Sequence, residues 1–204
     1  MAALVISHSS TATGSPKIAA LQWNAPLSYT GELPVTNGGT GAATAGDARK
    51  NLGLQGPVFS AYRASDLTGI PTSTMTEIVF DGEHFDSDNW FNAATGRFTP
   101  QVAGYYQFNA CLTLRAASSS ISNGQIHLYK NGSSFKRGWV YLPVSGTESS
   151  LIALTVSGLV YLNGSTDYVS LFAYSLVGSG TTYLDSNGGT TPAANYFDGV
   201  FTRQ

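Results

Sequence analysis

Between Gly104 and Arg115 the chain alternates without a break. Tyr106, Phe108, Ala110, Leu112 and Leu114 fall on one side, and Gln107, Asn109, Thr113 and Arg115 on the other. A period of two held over that length suits an extended strand with one face in a core and the other in water. The runs Val58 to Arg63, Thr76 to Asp81, Gln125 to Lys130, Phe135 to Leu142, Leu151 to Leu162, Thr166 to Leu176 and Asn195 to Thr202 carry the same kind of pattern, separated by turn residues. About eight to ten strands in one span predict an all-β, jelly-roll sandwich of antiparallel strands. Asn131-Gly132 and Asn163-Gly164 stand between apolar-rich runs and predict tight hairpins with positive φ angles. Both also read as glycosylation sequons, through Ser133 and Ser165.

Some strands are apolar on both sides. Tyr168, Phe172, Tyr174 and Leu176 oppose Val169, Leu171 and Ala173, and the last strand offers Tyr196 and Val200 on one face and Phe197 and Phe201 on the other. One face fills the core and the other needs a second cover. A further copy of the same chain is the expected cover, and a single-chain mass at micromolar concentration would refute that.

Charge narrows the function classes. With 10 Lys and Arg against 12 Asp and Glu, the chain shows no electrostatic footprint for nucleic acid or anionic membrane. No segment reaches the ~20 apolar residues of a membrane span, so no membrane insertion is expected. The first ten residues lack the pattern of a secretory signal, so any extracellular role is expected to use another exit, such as lysis. One cysteine, Cys111, excludes an intrachain disulfide and leaves stability to packing or assembly.

Residues 1–56 have a different composition, low in large apolar side chains and rich in small ones. Alone they bury too little surface to offset chain entropy, so they are either disordered or ordered by winding with copies of themselves. The spacing of Gly41 to Gly46 starts like a phosphate-cradling loop, but Asp47 stands where the lysine belongs and Ala48 where the magnesium-binding hydroxyl belongs. Thr44 to Leu52 instead predicts a short helix, capped by Thr44 with Asp47 in its first turn and ended by Gly53.

Two resemblances emerge from longer matches. Asn92-Ala-Ala-Thr-Gly-Arg-Phe-Thr-Pro-Gln-Val-Ala-Gly-Tyr-Tyr-Gln-Phe108 resembles the signature of the globular head of complement component 1q. Val79-Phe80-Asp81, Leu128-Tyr129-Lys130-Asn131-Gly132, Ser157 to Gly164 and Tyr196 to Phe201 match in order around it. The resemblance covers residues 57–204 and implies a ten-stranded jelly roll similar to tumour necrosis factor, assembled as a tight homotrimer that binds rather than catalyses. Leu33-Pro-Val-Thr-Asn-Gly-Gly-Thr-Gly41, with Ala48 to Leu54, resembles the glycine-rich segment of bacteriophage tail fibres. That resemblance implies a trimeric fibre neck over 1–56 and, for the whole, the receptor-binding tip of a virion tail fibre. Its partners would be a bacterial cell-surface glycan or protein and upstream fibre or baseplate proteins. The alternatives are a structural trimerisation cap and an adhesive fibre on a bacterial surface.

Candidate binding residues are aromatics at expected loops and strand ends, Trp90, Trp139 and Tyr141, with Tyr183, Asp185 and Asn187 in the segment Val177 to Ala194, which reads as a long loop. The cluster Asp81, Glu83, Asp86 and Asp88 offers oxygen ligands at near-alternate positions, and some relatives of complement component 1q bind calcium. The calcium-loop pattern nonetheless fails at its glycine and closing glutamate, so a solvated loop is expected there, with no metal or other cofactor. No carboxylate pair is marked for glycan hydrolysis, His8, His84 and His127 form no recognisable triad, and Cys111 lacks a basic neighbour, so no catalytic residue is expected.

Overall fold

The computed structural model describes residues 39–42, 44–52, 56–117, 119–142, 150–186 and 194–203. The short helix α1 (Ala45–Asn51) lies in one unit, and all the strands lie in a second, Gly56–Gln204.

In α1 the backbone N–H of Asp47 donates to Thr44 Oγ1 at 3.1 Å, and the Thr44 hydroxyl donates to Asp47 Oδ2 at 2.6 Å. Thr44 is therefore the N-cap, and the Asp47 carboxylate, in the first turn, holds its hydroxyl and faces the positive end of the helix, which accounts for an acidic residue at this position. The Asn51 amide donates to the carbonyls of Thr40 and Gly41 at 2.9 and 3.0 Å, and Gly41 has a φ of 62°. The glycine permits a backbone turn that the helix's own asparagine then holds. Gly53 and most of the glycine-rich stretch lie outside the described residues.

The second unit is a sandwich of two antiparallel sheets. Sheet A contains β1 (Val58–Tyr62), β2 (Leu67–Pro71), β4 (Gly82–Asp86), β7 (Ala103–Ala116), β10 (Leu151–Asn163), β12 (Thr181–Leu184) and β13 (Tyr196–Arg203). Sheet B contains β3 (Thr76–Ile78), β5 (Phe91–Asn92), β6 (Arg97–Phe98), β8 (Ile121–Lys130), β9 (Ser133–Tyr141) and β11 (Val169–Val177). Strand β7 organises sheet A. All 13 residues of β10 pair with it along one edge, from Leu151 opposite Arg115 to Asn163 opposite Ala103. Its other edge holds β12 near Ala116 and then β13 from Cys111 onward.

The alternation in the sequence becomes the core. Tyr106, Phe108, Leu112 and Leu114 are buried from β7, and Leu154, Val160 and Leu162 from β10. At one end, Phe59 stacks on Phe98 and Phe91 with ring centroids at 4.5 and 5.1 Å and meets the edge of Phe197 at 5.0 Å. A Cβ on Gly199 would lie 2.3 Å from the Phe59 ring, so the glycine inside β13 makes room for this cluster.

Three expectations are corrected. Asn131 and Gly132, at φ 50° and 76°, form the expected tight turn between β8 and β9. Asn163-Gly164 does not form a hairpin, because β10 pairs with β7 in sheet A and β11 with β8 in sheet B; the segment crosses between sheets. Residues 82–86 are not a loop but an outer strand paired with β1, with Glu83 exposed to water and the Asp86 carboxylate turned to the N–H groups of the residues that follow. The segment Val177 to Ala194 is interrupted by β12, whose Thr182 hydroxyl bonds to that of Ser175 inside the core.

Candidate functional site

The outward face of sheet A is built from the residues that β7, β10 and β13 do not send inward. Leu159 pairs with Gln107, Tyr161 with Tyr105, and Val200 also with Gln107, so these side chains stand together. Leu159, Tyr161, Tyr105 and Val200 are 46, 48, 38 and 40% exposed, and Leu151 on β10 and Phe85 on β4 extend the apolar surface along the sheet. Tyr105 and Tyr161 meet edge to face at 5.4 Å.

Within this face lies a polar patch. The Gln107 amide donates to Ser157 Oγ at 2.8 Å, and the Ser157 hydroxyl donates to Asn109 Oδ1 at 2.9 Å. Asp198 sits between Asn109 and Ser60 in register, and its Oδ1 is buried without a hydrogen-bond partner. A carboxylate oxygen shielded from water and left unpaired is costly, and among the described residues none supplies it with a donor.

Sheet B presents a different outward face. Trp139 and Tyr141, two residues apart on β9, are 58 and 61% exposed, and the Arg137 guanidinium lies 5.3 Å from the Trp139 ring. Next to them on β8, His127 Nδ1 is 2.8 Å from Ser134 Oγ and Nε2 is 2.8 Å from Gln125 Oε1. The trio has the distances of a nucleophile, a base and an orienting group. It lacks the chemistry: a neutral amide replaces the carboxylate that would stabilise an imidazolium, and burial together with Arg137 lowers the histidine pKa.

The remaining sequence candidates fall in separate places. Tyr183 and Asp185 lie with Arg115 at the β7–β12 edge, where Asp185 pairs with Arg115 at 2.5 Å and its carbonyl accepts from Asn195 at 2.7 Å. Trp90 is half-buried at the sandwich end, its ring 6.4 Å from Phe98. Asn187 is outside the described residues. Sequence reasoning missed Tyr105, Leu159 and Arg137; the alternation of Leu151 to Leu162 already places Leu159 and Tyr161 on the side opposite Leu154 and Val160.

The four acidic candidates do not converge. Asp81 accepts from the Ala64 N–H at 2.6 Å and from the Ser65 hydroxyl and pairs with Arg63 at 3.3 Å. Burial alone would raise its pKa, but these donors outweigh it and lower the value. Asp86 accepts from the N–H groups of Asp88, Asn89 and Phe91, and Asp88 accepts from Ser87 at 2.7 Å. Glu83 points outward from β4. Among the described residues, no three His, Cys, Asp or Glu side chains gather as a metal site. Cys111 faces outward on β7, and burial raises its thiol pKa, which disfavours the nucleophilic thiolate.

Comparison with known proteins places this architecture. Residues 58–174 match the model of the C1q domain. Over 122 residues the chain is 31% identical to complement C1q tumor necrosis factor-related protein 5 of Rattus norvegicus and 30% identical to that of Homo sapiens, covering 56% of this chain and 47% of each relative. The chain thus spans about half the length of the curated relatives it matches. Among solved structures, the globular domain of zebrafish complement 1qA superposes with a TM-score of 0.50 at 17% identity, covering 74% of this chain and all of that one, which supports the fold.

These findings overturn the expectation of a bacteriophage tail-fibre tip and of a virion or bacterial-surface location, since the matched curated proteins are mammalian. The bacterial receptor and the baseplate partners lose their support with it. The fibre resemblance rested on residues 33–54, outside the matched domain, and where that stretch is described its glycine serves a local turn held by Asn51. With the family model matching more than half of its length, the chain belongs to the C1q domain family.

Proposed function

We propose that this chain is a non-enzymatic binding head that assembles as a homotrimer through the outward face of sheet A, with residues 57–204 as the head and 1–56 as a segment preceding it. The observation that carries the reading is that face: exposed Tyr105, Leu159, Tyr161 and Val200 adjoin a patch where Asp198 keeps a buried oxygen without a partner among the described residues. An exposed apolar surface beside a polar patch marks an interface, and a second copy supplies both the apolar cover and the missing donors. Homotrimeric assembly is typical of C1q domains, which supports the same reading.

The test is the solution mass of the intact protein at micromolar concentration, measured by sedimentation or light scattering. The expected species is three chains of 21.4 kDa. The double variant Leu159→Glu, Tyr161→Glu should run as a single chain with unchanged far-ultraviolet circular dichroism, because both side chains point away from the core. A single-chain mass for the unmodified protein would refute the assembly.

A further inference from the structure

We propose that the cleft at the Trp90 end of the sandwich binds an uncharged glycan. This inference deepens the reading of the chain as a binding head and rests on it. The cleft has a volume of about 880 Å³, is open to solvent, and is framed by Asn89, Trp90, Asn92, Thr99, Gln101 and Ser165. That is within the ~300–1,000 Å³ range of ligand clefts.

The lining selects the ligand. None of the lining residues is charged, so the cleft offers no cation for a sulfate, phosphate or carboxylate and no carboxylate for an amine. Beside Phe91, two alanines and a glycine, it offers one indole together with amides and hydroxyls. An indole packs on the C–H face of a sugar ring, and amides and hydroxyls exchange hydrogen bonds with its hydroxyl groups. An apolar ligand would leave those polar groups unpaired at a cost, and a sugar would satisfy them.

The walls are set before any ligand arrives. The Asp86 carboxylate accepts N–H bonds from Asp88, Asn89 and Phe91 at 3.3, 3.1 and 2.7 Å, and the Trp90 carbonyl accepts from Thr99 at 2.9 Å. On the opposite wall, Asn163 Oδ1 accepts from the N–H groups of Ser165, Thr166 and Asp167 at 3.0, 3.0 and 2.9 Å. Asn89 itself holds a φ of 60°. The backbone is thus fixed by the Asp86 and Asn163 side chains from outside the cleft and by a main-chain bond between two of its own residues, Trp90 and Thr99, and the side chains of Asn89, Thr99, Gln101 and Ser165 are not engaged in hydrogen bonds among the described residues. A pre-formed wall carrying unengaged polar side chains reduces the ordering cost of binding.

The experiment applies the full-length protein, after its mass is measured, to an array of neutral hexose and N-acetylhexosamine oligosaccharides beside sialylated and sulfated ones. Saturable binding to neutral members is expected. Asn89→Gly, which keeps the left-handed backbone and removes the amide, and Gln101→Ala, an exposed truncation, should each weaken it by about tenfold, the loss of a hydrogen bond or two. Trp90→Phe should weaken it as well, and Phe135→Ala, exposed on sheet B, should leave it unchanged. Binding confined to sialylated or sulfated members, binding indifferent to Asn89→Gly and Gln101→Ala, or no binding at all would each overturn the proposal. In any of those cases a trimeric mass leaves the assembled head standing, whereas a single-chain mass removes that reading whatever the array shows.

Discussion

Strand β10 carries the same kinds of residue on its two sides and uses them in opposite ways. Ile152, Leu154, Val156, Val160 and Leu162 are buried, whereas Leu151, Leu159 and Tyr161 are 40 to 48% exposed. Hydrophobicity alone does not separate the two sets; register against β7 does, because a shift of one residue would exchange them. The inner side is satisfied by the chain's own second sheet. Among the described residues of this unit nothing covers the outer side, and under the proposed assembly its apolar content belongs to the interface rather than to the core.

The sharpest way to break this comparison is to truncate one leucine on each side. Leu154→Ala removes a side chain that is 2% exposed and should cost about 2–5 kcal/mol of unfolding free energy, the range for a buried leucine that leaves a cavity. Because the loss is within the fold, it should not depend on protein concentration once assembly is saturated. Leu159→Ala should barely change the free energy of the folded chain but should make the denaturation midpoint fall on dilution, since a weakened assembly stabilises by mass action. Chemical denaturation at two concentrations tests both. Equal behaviour of the two variants would mean that the outer side is not an interface.

A second contrast lies in the two Asn-Gly-Ser segments, identical in sequence and different in role. Asn131-Gly132 closes a hairpin within sheet B, and Asn163-Gly164 carries the chain from sheet A to sheet B. Both end on Asp167, which accepts from Asn131 Nδ2 at 2.7 Å and from the Asn163 N–H at 3.0 Å and pairs with Lys130 at 3.0 Å. Burial pushes its pKa up, and those donors push it down further than burial raises it. Asp167→Ala would leave partly buried donors on both segments unpaired, at a cost of about 1–3 kcal/mol. Hydrogen exchange should show the loss at both turns together; protection lost at only one would show that they are not coupled through this carboxylate.

These contrasts show what could be read from the residues and what could not. The long strands were legible because their alternation runs over many residues: β7, β9, β10 and β13 stand close to their expected bounds, whereas β8 begins four residues before its expected start and β11 three after. Strand β2 was missed because Leu67-Thr-Gly-Ile-Pro71 carries a glycine and a proline, residues tolerated at an edge but depleted in strands. Strand β4 was missed because its charges read as a loop, and an edge strand facing water needs no apolar face. The sheet change after Asn163 had no local sign, since pairing partners are decided by residues fifty positions away. The candidate site was legible as chemistry more than as place. Aromatics were foreseen at Trp90, Trp139 and Tyr141, but only the fold separates a cleft wall from an open sheet surface and brings Asn89, Gln101 and Ser165 around the first of them.

The smallest expected effect concerns the outward face of sheet B and distinguishes it from that of sheet A by pH. His127 is almost fully buried, held between Ser134 and Gln125 with Arg137 opposite it in register. Burial first, and the Arg137 charge second, lower its folded pKa below the ordinary value near 6.5. At neutral pH both folded and unfolded chains carry a neutral imidazole and the group contributes no pH dependence. As pH falls through about 6.5 the unfolded chain takes up a proton that the folded chain refuses, so stability declines until the folded pKa is reached. Asp66, Asp81 and Asp167, whose folded pKa values are lowered by their hydrogen bonds and cationic neighbours, lose their contribution only at more acidic pH, below about 4. Denaturation midpoints between pH 7.5 and 5 should therefore fall for the unmodified chain and fall less for His127→Gln, which keeps a polar group between Ser134 and Gln125 without a titrating ring. Parallel profiles for the two proteins would assign the decline elsewhere and leave His127 as a packing residue with no charge to refuse.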